Sequence, residues 1–201
     1  PGDARADAEQ LLGRIQLRLR RHEAAIANLE EAARLHRELG KGSSLLADLA
    51  YRIEAEIARN RPDALLAAYE QLAAERPLLD NAPLREQSDF HLYLGAQWLE
   101  ERNGKRHEPL VHLKRSYEEL MRQTAFLSPA MRQRFLFQVP LHRAIVNAAT
   151  ETARALRAAA PTDPSGYRVL RLAILMDTVQ APPAQQGNKT GVPAPPANTL
   201  K

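Results

Sequence analysis

The chain contains no cysteine. That absence removes disulfide frameworks, thiolate metal sites and cysteine nucleophiles together. It fits a reducing compartment, and a cytoplasmic location is the expectation. Glycine and aromatic residues are scarce, with 9 Gly in 201 residues and Phe, Trp and Tyr together at 5%. Val, Ile and Thr are sparse as well, which argues against sheets. No apolar run approaches the roughly 20 residues needed to span a membrane, and no signal peptide opens the chain. Pro1 stands at the start where an initiator Met would, which reads as a segment of a longer or processed chain.

Catalytic signatures are missing too. The six histidines are His22, His36, His91, His107, His112 and His142, and none falls into His-Glu-x-x-His or another tight ligand pattern. His107 and His112 lie on different faces of a helix. All six read as surface or interface residues, with His22 and His107 packing helix turns. "GKGSS" at 40–44 and "GNKTG" at 187–191 lack the spacing of a phosphate-binding loop. No nucleophile elbow occurs. Glu30-Glu31 and Glu118-Glu119 are paired carboxylates, but basic neighbours at helical spacing make them surface ion pairs. Catalytic residues, cofactors and metal sites are therefore expected to be absent.

What the sequence has instead is helix-forming composition. Ala, Leu, Arg and Glu dominate, and all four favour helices. Lys and Arg number 28 against 24 Asp and Glu, a net charge of +4. The signs alternate along helix faces, so the excess reads as solvated surface and not as a nucleic-acid footprint.

Apolar periodicity divides the chain into helices. The first spans about 7–20, with Leu11, Leu12, Ile15 and Leu19 as its inward side. The second spans 22–39, with Ala25, Ile26, Leu29, Ala32, Ala33 and Leu35 inward. Gly40 and Gly42 end it, and Ser43 or Ser44 caps a third that ends near Arg59. Pro62 opens a fourth, which stops before Pro77. A loop at 76–83 leads to a fifth at 84–102, carrying Phe90, Leu94, Trp98 and Leu99. Asn103-Gly104 is a turn, and a sixth helix covers 107–124. Ser128-Pro129 caps and opens a seventh, which Pro140 kinks or breaks before it runs on to about Ala159. A short, almost wholly apolar helix is expected from Tyr167 to Val179, and such a helix must be buried. Residues 180–201 are Pro-rich, without core residues, and read as a disordered tail.

Short turns make antiparallel helix pairs, and one pair is written twice: "RHE" opens a helical segment at Arg21 and again at Arg106. In the first pair Leu12, Gly13, Ala25, Leu29 and Ala32 stand at the spacing of small and apolar packing positions. Leu94, Gly95, Trp98, Leu113 and Ser116 repeat the scheme in the third pair, where Pro109 falls on the small position. Leu65, Tyr69 and Leu72 follow it in the middle pair. On these residues, 8–124 resembles the tetratricopeptide repeat, with a period of roughly 40 against 34 in the family consensus. Glu9, Gln16 and Leu39 depart from the family's preferred Trp, Tyr and Pro. The resemblance implies a right-handed α-solenoid over 1–160 with a concave groove lined by the first helix of each pair. Gln16, Arg52, Gln97 and Glu101 are the expected groove residues, and the partner a protein or peptide. The segment 161–179 would cap the array or link onward, and self-association through 167–179 is the alternative.

A second stretch, 131–149, carries Arg134, Phe135, Leu136, Val139, Pro140, Arg143 and Ile145. It resembles the close of helical repeat regions in large bacterial signalling regulators, and so implies a regulatory segment of such a chain. Phe90, Tyr93, Trp98 and Tyr117 read as core, with an aromatic pocket as the alternative. Arg102, Lys105, Arg106, Lys114 and Arg115 form a basic cluster, either a solvated face or an acidic-peptide contact.

Overall fold

A computed structural model describes residues 2–78, 85–104 and 107–159. Every regular element among them is a helix: α1 Gly2–Arg18, α2 His22–Glu38, α3 Gly42–Arg59, α4 Pro62–Leu78, α5 Arg85–Asn103, α6 Pro109–Gln123, α7 Pro129–Gln138 and α8 Pro140–Ala159. The punctuation is local chemistry. Gly40 and Gly104 follow helix ends at φ +67° and +64°, a region open to glycine at no steric cost. Asn60 closes α3 in the left-handed conformation, which asparagine tolerates. The Ser128 hydroxyl accepts from the Met131 N–H, and Pro129 occupies the first turn of α7. Val139 is extended, so Pro140 starts a new helix.

Consecutive helices pack in series. α2 lies between α1 and α3, α3 carries both α4 and α5, and α5 also packs on α4 and α6. α8 closes the described chain against α6 and α7. Two apolar clusters result, and α5 serves both. Leu92 and Leu99 join Leu46, Leu49, Ile53, Leu65 and Leu72 of α3 and α4. Phe90 and Tyr93 join Leu113, Tyr117 and Leu120 of α6, Leu136 of α7 and Ile145 and Ala149 of α8. At about 25 cal/mol per Å² of apolar surface removed from water, these clusters are the main force holding the helices together.

The inward residues expected on α2 are all buried. α1 differs. Its buried positions are Ala6 and Gly13, while Leu11, Leu12, Ile15 and Leu19 are 55%, 45%, 44% and 56% exposed. Leu12 is therefore no packing residue. The cause is close approach: a methyl group added at Gly13 would lie 2.7 Å from Leu29 Cγ. The small side of α1 faces α2, so its large side cannot. Gly95 is looser, with Ile53 and Tyr69 side chains 3.4 Å from the same added methyl.

Smaller corrections follow the same logic. α3 begins at Gly42 with Lys41 before it and no side-chain cap, which leaves Ser43 and Ser44 inside the first turn. α4 continues through Pro77 to Leu78; both residues are exposed in its last turn, where a proline forfeits only a terminal backbone bond. Trp98 packs with the α3/α4 cluster and not with Phe90, Tyr93 and Tyr117. Lys105, Arg106, the 167–179 helix and the Pro-rich tail lie outside the described residues.

Candidate protein-interaction surface

Two adjoining grooves run across α1, α3 and α5. The first is lined by Leu11 and Ile15 of α1, Leu19 just past its end and Tyr51 of α3, with Arg14 and Arg18 at its side and Glu54 at its edge. The second is lined by Ile57 of α3 and Leu94 and Trp98 of α5, with Glu54, Gln97 and Glu101. Glu54 belongs to both, so the surface is continuous across α3. The exposed Leu11 and Ile15 of α1 are part of it, which explains why helical periodicity placed them together but gave no buried partner.

Each groove has its own charge. The Arg14 guanidinium sits over the Tyr51 ring at 5.2 Å, giving the first groove a basic wall. Glu54 and Glu101 make the second acidic. His91, whose Nε2 is 3.7 Å from Glu54, holds that carboxyl below its usual range, against the opposing effect of burial. The Arg102 guanidinium covers the Trp98 face at 3.8 Å, a cation–π contact on a flexible arm.

Of the groove residues expected from sequence, Gln97 and Glu101 line the second groove. Gln16 and Arg52 line neither. Arg52 points away, donating to Gln71 of α4 at 2.8 Å and pairing with Glu30 of α2 at 3.0 Å. Gln16 is half-buried, with its Oε1 enclosed and without a hydrogen-bond partner. Both sit on polar positions of first helices, but on the sides that pack.

The expectation of surface histidines fails at three positions. His36 is fully buried, and His91 and His142 are buried. His36 Nδ1 lies 2.6 Å from Asp48 Oδ2 and its Nε2 lies 3.2 Å from Asp7 Oδ1. Gln10 donates to the other Asp48 oxygen at 2.7 Å, and Lys41 pairs with Asp3 and, at 3.7 Å, with Asp7. A carboxylate only accepts, so both His36 contacts are hydrogen bonds when both ring nitrogens carry a proton. Burial pushes the Asp48 carboxyl up to about 6, against the hydrogen bonds from His36 and Gln10. With both nitrogens engaged, His36 has none left to activate a nucleophile. Its role is to tie α1 to α2 and α3. The signal was present in the sequence: His36 continues the Ala25–Leu29–Ala32 stripe, and Asp48 stands beside Leu45 and Leu49.

α5 opens with a buried polar row, Glu86, Gln87, Ser88 and Asp89. Gln123 donates to Glu86 at 2.8 Å, the Ser116 hydroxyl donates to the Glu86 carbonyl at 2.8 Å, and Arg76 pairs with Asp89 at 2.8 Å. These bonds join α4, α5 and α6. Among the described residues no group of three or more His, Cys, Asp or Glu is placed to hold a metal ion, and no helix is long and apolar enough to cross a membrane.

The paired carboxylates are surface ion pairs, as their neighbours implied. Glu31 meets Arg34 and Arg5, Glu118 meets Lys114, and Glu119 meets Arg122 and Arg85. An all-helical surface of this kind, apolar along its floor and charged along its sides, has the chemistry of a polypeptide-binding face. Residues 141–201, which begin inside α8, match the type VI secretion family described by EvfE, EvfF, ImpA, BimE, VC_A0119 and VasJ. No curated protein and no solved structure matches the chain.

Proposed function

We propose that this chain is a non-catalytic protein-interaction module of a bacterial type VI secretion assembly, working on the cytoplasmic side. Its helices stack as tetratricopeptide-like antiparallel pairs, α1 with α2, α3 with α4 and α5 with α6, forming a solenoid whose first helices present the binding surface. The observation that carries this reading is the pair of largely apolar grooves across α1, α3 and α5, which meet at Glu54. Three first helices in a row offer Leu11, Ile15, Tyr51, Ile57, Leu94 and Trp98 to one occupant. The order of helix packing supports the stacked arrangement. The setting rests on the family match, which covers α8 onward. That match points to secretion in place of the signalling regulators that residues 131–149 resemble.

Gln97 and Glu101 contact the partner, and the polar latch at His36 keeps α1 in place to complete the surface. The test is made in cells that carry the gene and a working type VI system. Replacing Gln97 and Leu11 together by arginine is expected to abolish type VI-dependent secretion while leaving chain abundance and helical content unchanged, since Leu11 is 55% exposed. Normal secretion with such a double substitution would refute the assignment of this surface.

A further inference from the structure

We infer that the α1/α3/α5 surface is occupied, within the same molecule, by the chain's own apolar segment at residues 167–179. The inference rests on reading that face as a binding surface, and it names the occupant.

Three observations support it. The first is where the apolar demand lies. The outer side of α8 presents Arg143, Asn147, Thr150, Glu151, Arg154 and Arg157 to solvent. It offers an apolar segment nothing to cover. The exposed Leu11, Ile15 and Leu19 and the half-buried Leu94 and Trp98 line the grooves instead.

The second is where α8 delivers the chain. His142, near the start of α8, lies 3.9 Å from Glu86 in the first turn of α5. Thr152, further along, sits against Tyr93. α8 therefore advances in the same direction as α5 and carries Ala159 towards the end of α5 that holds Trp98 and Glu101. Residues 160–166 add a tether of up to about 24 Å at the extended-chain limit, and adjoining helices lie only about 10 Å apart.

The third is the order of charges. The segment "YRVLRLAILMDTV" carries Arg168 and Arg171 first and Asp177 last. The groove beside the end of α8 is acidic, with Glu54 and Glu101. The groove beyond it shares Glu54 and adds two cations, Arg14 and Arg18. Arg168 and Asp177 would be about 14 Å apart along a helix, so the two signs of charge are well separated. The charge sequence along the chain thus matches the order in which it meets the grooves, and the apolar residues between them meet the apolar floor. An external partner would have to displace this segment.

Trp98 is the chain's only tryptophan and lines the second groove, so its fluorescence reads occupancy directly. The experiment compares acrylamide quenching of the full-length chain with Leu172→Asp/Leu175→Asp and with Arg168→Glu/Arg171→Glu, alongside molar mass by light scattering and helical content by circular dichroism. The second variant removes no apolar group, which guards against misfolding of the first. Expected is protection of Trp98 in the wild type, its loss with a red shift in both variants, and its recovery when Glu101→Arg is added to the Arg168/Arg171 variant. All are expected to have the mass of one chain. Unchanged quenching in both variants would overturn the inference. So would a wild-type dimer that becomes monomeric in the variants, since the segment would then be serving a second copy. Either result leaves the secretion test of the surface itself standing.

Discussion

α1 and α5 carry the same Leu-Gly pair, yet one helix is held at the side of the described bundle and the other at its centre. α5 packs on three helices, α3, α4 and α6, and leaves only the side with Gln97 and Glu101 open. It buries Phe90, Leu92, Tyr93, Ala96 and Leu99. α1 packs on α2 through Ala6 and Gly13 and leaves Leu11, Leu12 and Ile15, with Leu19 just past its end, about half exposed. What α1 lacks in apolar burial it partly makes up with polar ties, Gln10 to Asp48 and Asp7 to His36. The lesson is that an apolar stripe specifies a helix but not which side finds a partner. Here the free side of α1 became surface.

Four measurements would break or sharpen that contrast. The largest effect is expected where α5 is fully enclosed. Leu99→Ala should cost about 2–5 kcal/mol in urea unfolding. Leu11→Ala, on the side of α1 that the described residues leave open, should cost less, about 0.5–1.5 kcal/mol, since the inferred cover by residues 167–179 touches only that side. Equal losses from both would erase the contrast between the two helices.

The two glycines come next. Gly13→Ala forces a methyl into Leu29 and should destabilise by about 1–3 kcal/mol. Gly95→Ala meets only ordinary contacts, so the better helix propensity of alanine should leave it neutral or stabilise it by up to about 1 kcal/mol. Equal costs at both sites would erase the distinction in packing.

The polar latch should show in the pH dependence of stability. Folded Asp48 has its proton affinity raised, to about 6 from 3.8. The folded state therefore binds that proton more tightly than the unfolded chain does. The stabilisation is complete below about 3.8 and is lost as pH rises through about 6. Melting curves of the wild type and Asp48→Asn between pH 4 and 7 should show the wild type losing ground to the variant up to pH 6, with a constant difference above. A flat difference throughout would remove Asp48 as the titrating group.

The smallest effect concerns the α5/α6 cluster. The Tyr117 hydroxyl is buried without a hydrogen-bond partner, and burial pushes its pKa up to about 12. Tyr117→Phe removes an unsatisfied group and should stabilise the protein by about 1 kcal/mol. A loss of stability in the melting curve would reveal a partner for that hydroxyl.

Much of the fold was legible because its signals are local. Gly40, Gly104, Ser128 and Pro140 act through the backbone geometry of their own turn, so the helix boundaries near them could be read directly. The candidate surface was legible in part. Gln97 and Glu101 follow from the repeat spacing and do line a groove. Arg52 does not, because Glu30 and Gln71 reach it from two other helices. His36 was legible as a buried position from its place on the Ala25–Leu29–Ala32 stripe, but its carboxylates come from α1 and α3, and that pairing is decided between helices.

The sequence by itself determined that this is a helical protein with glycine, asparagine, serine and proline marking its turns, because each of those preferences is settled within a few residues. Tertiary structure alone decided that α1 turns its small side to α2, that a histidine and two carboxylates meet between three helices, and that apolar residues of α1, α3 and α5 line two grooves that meet at Glu54. Those outcomes depend on which helix faces approach, and that is settled by the packing of side chains far apart in the chain.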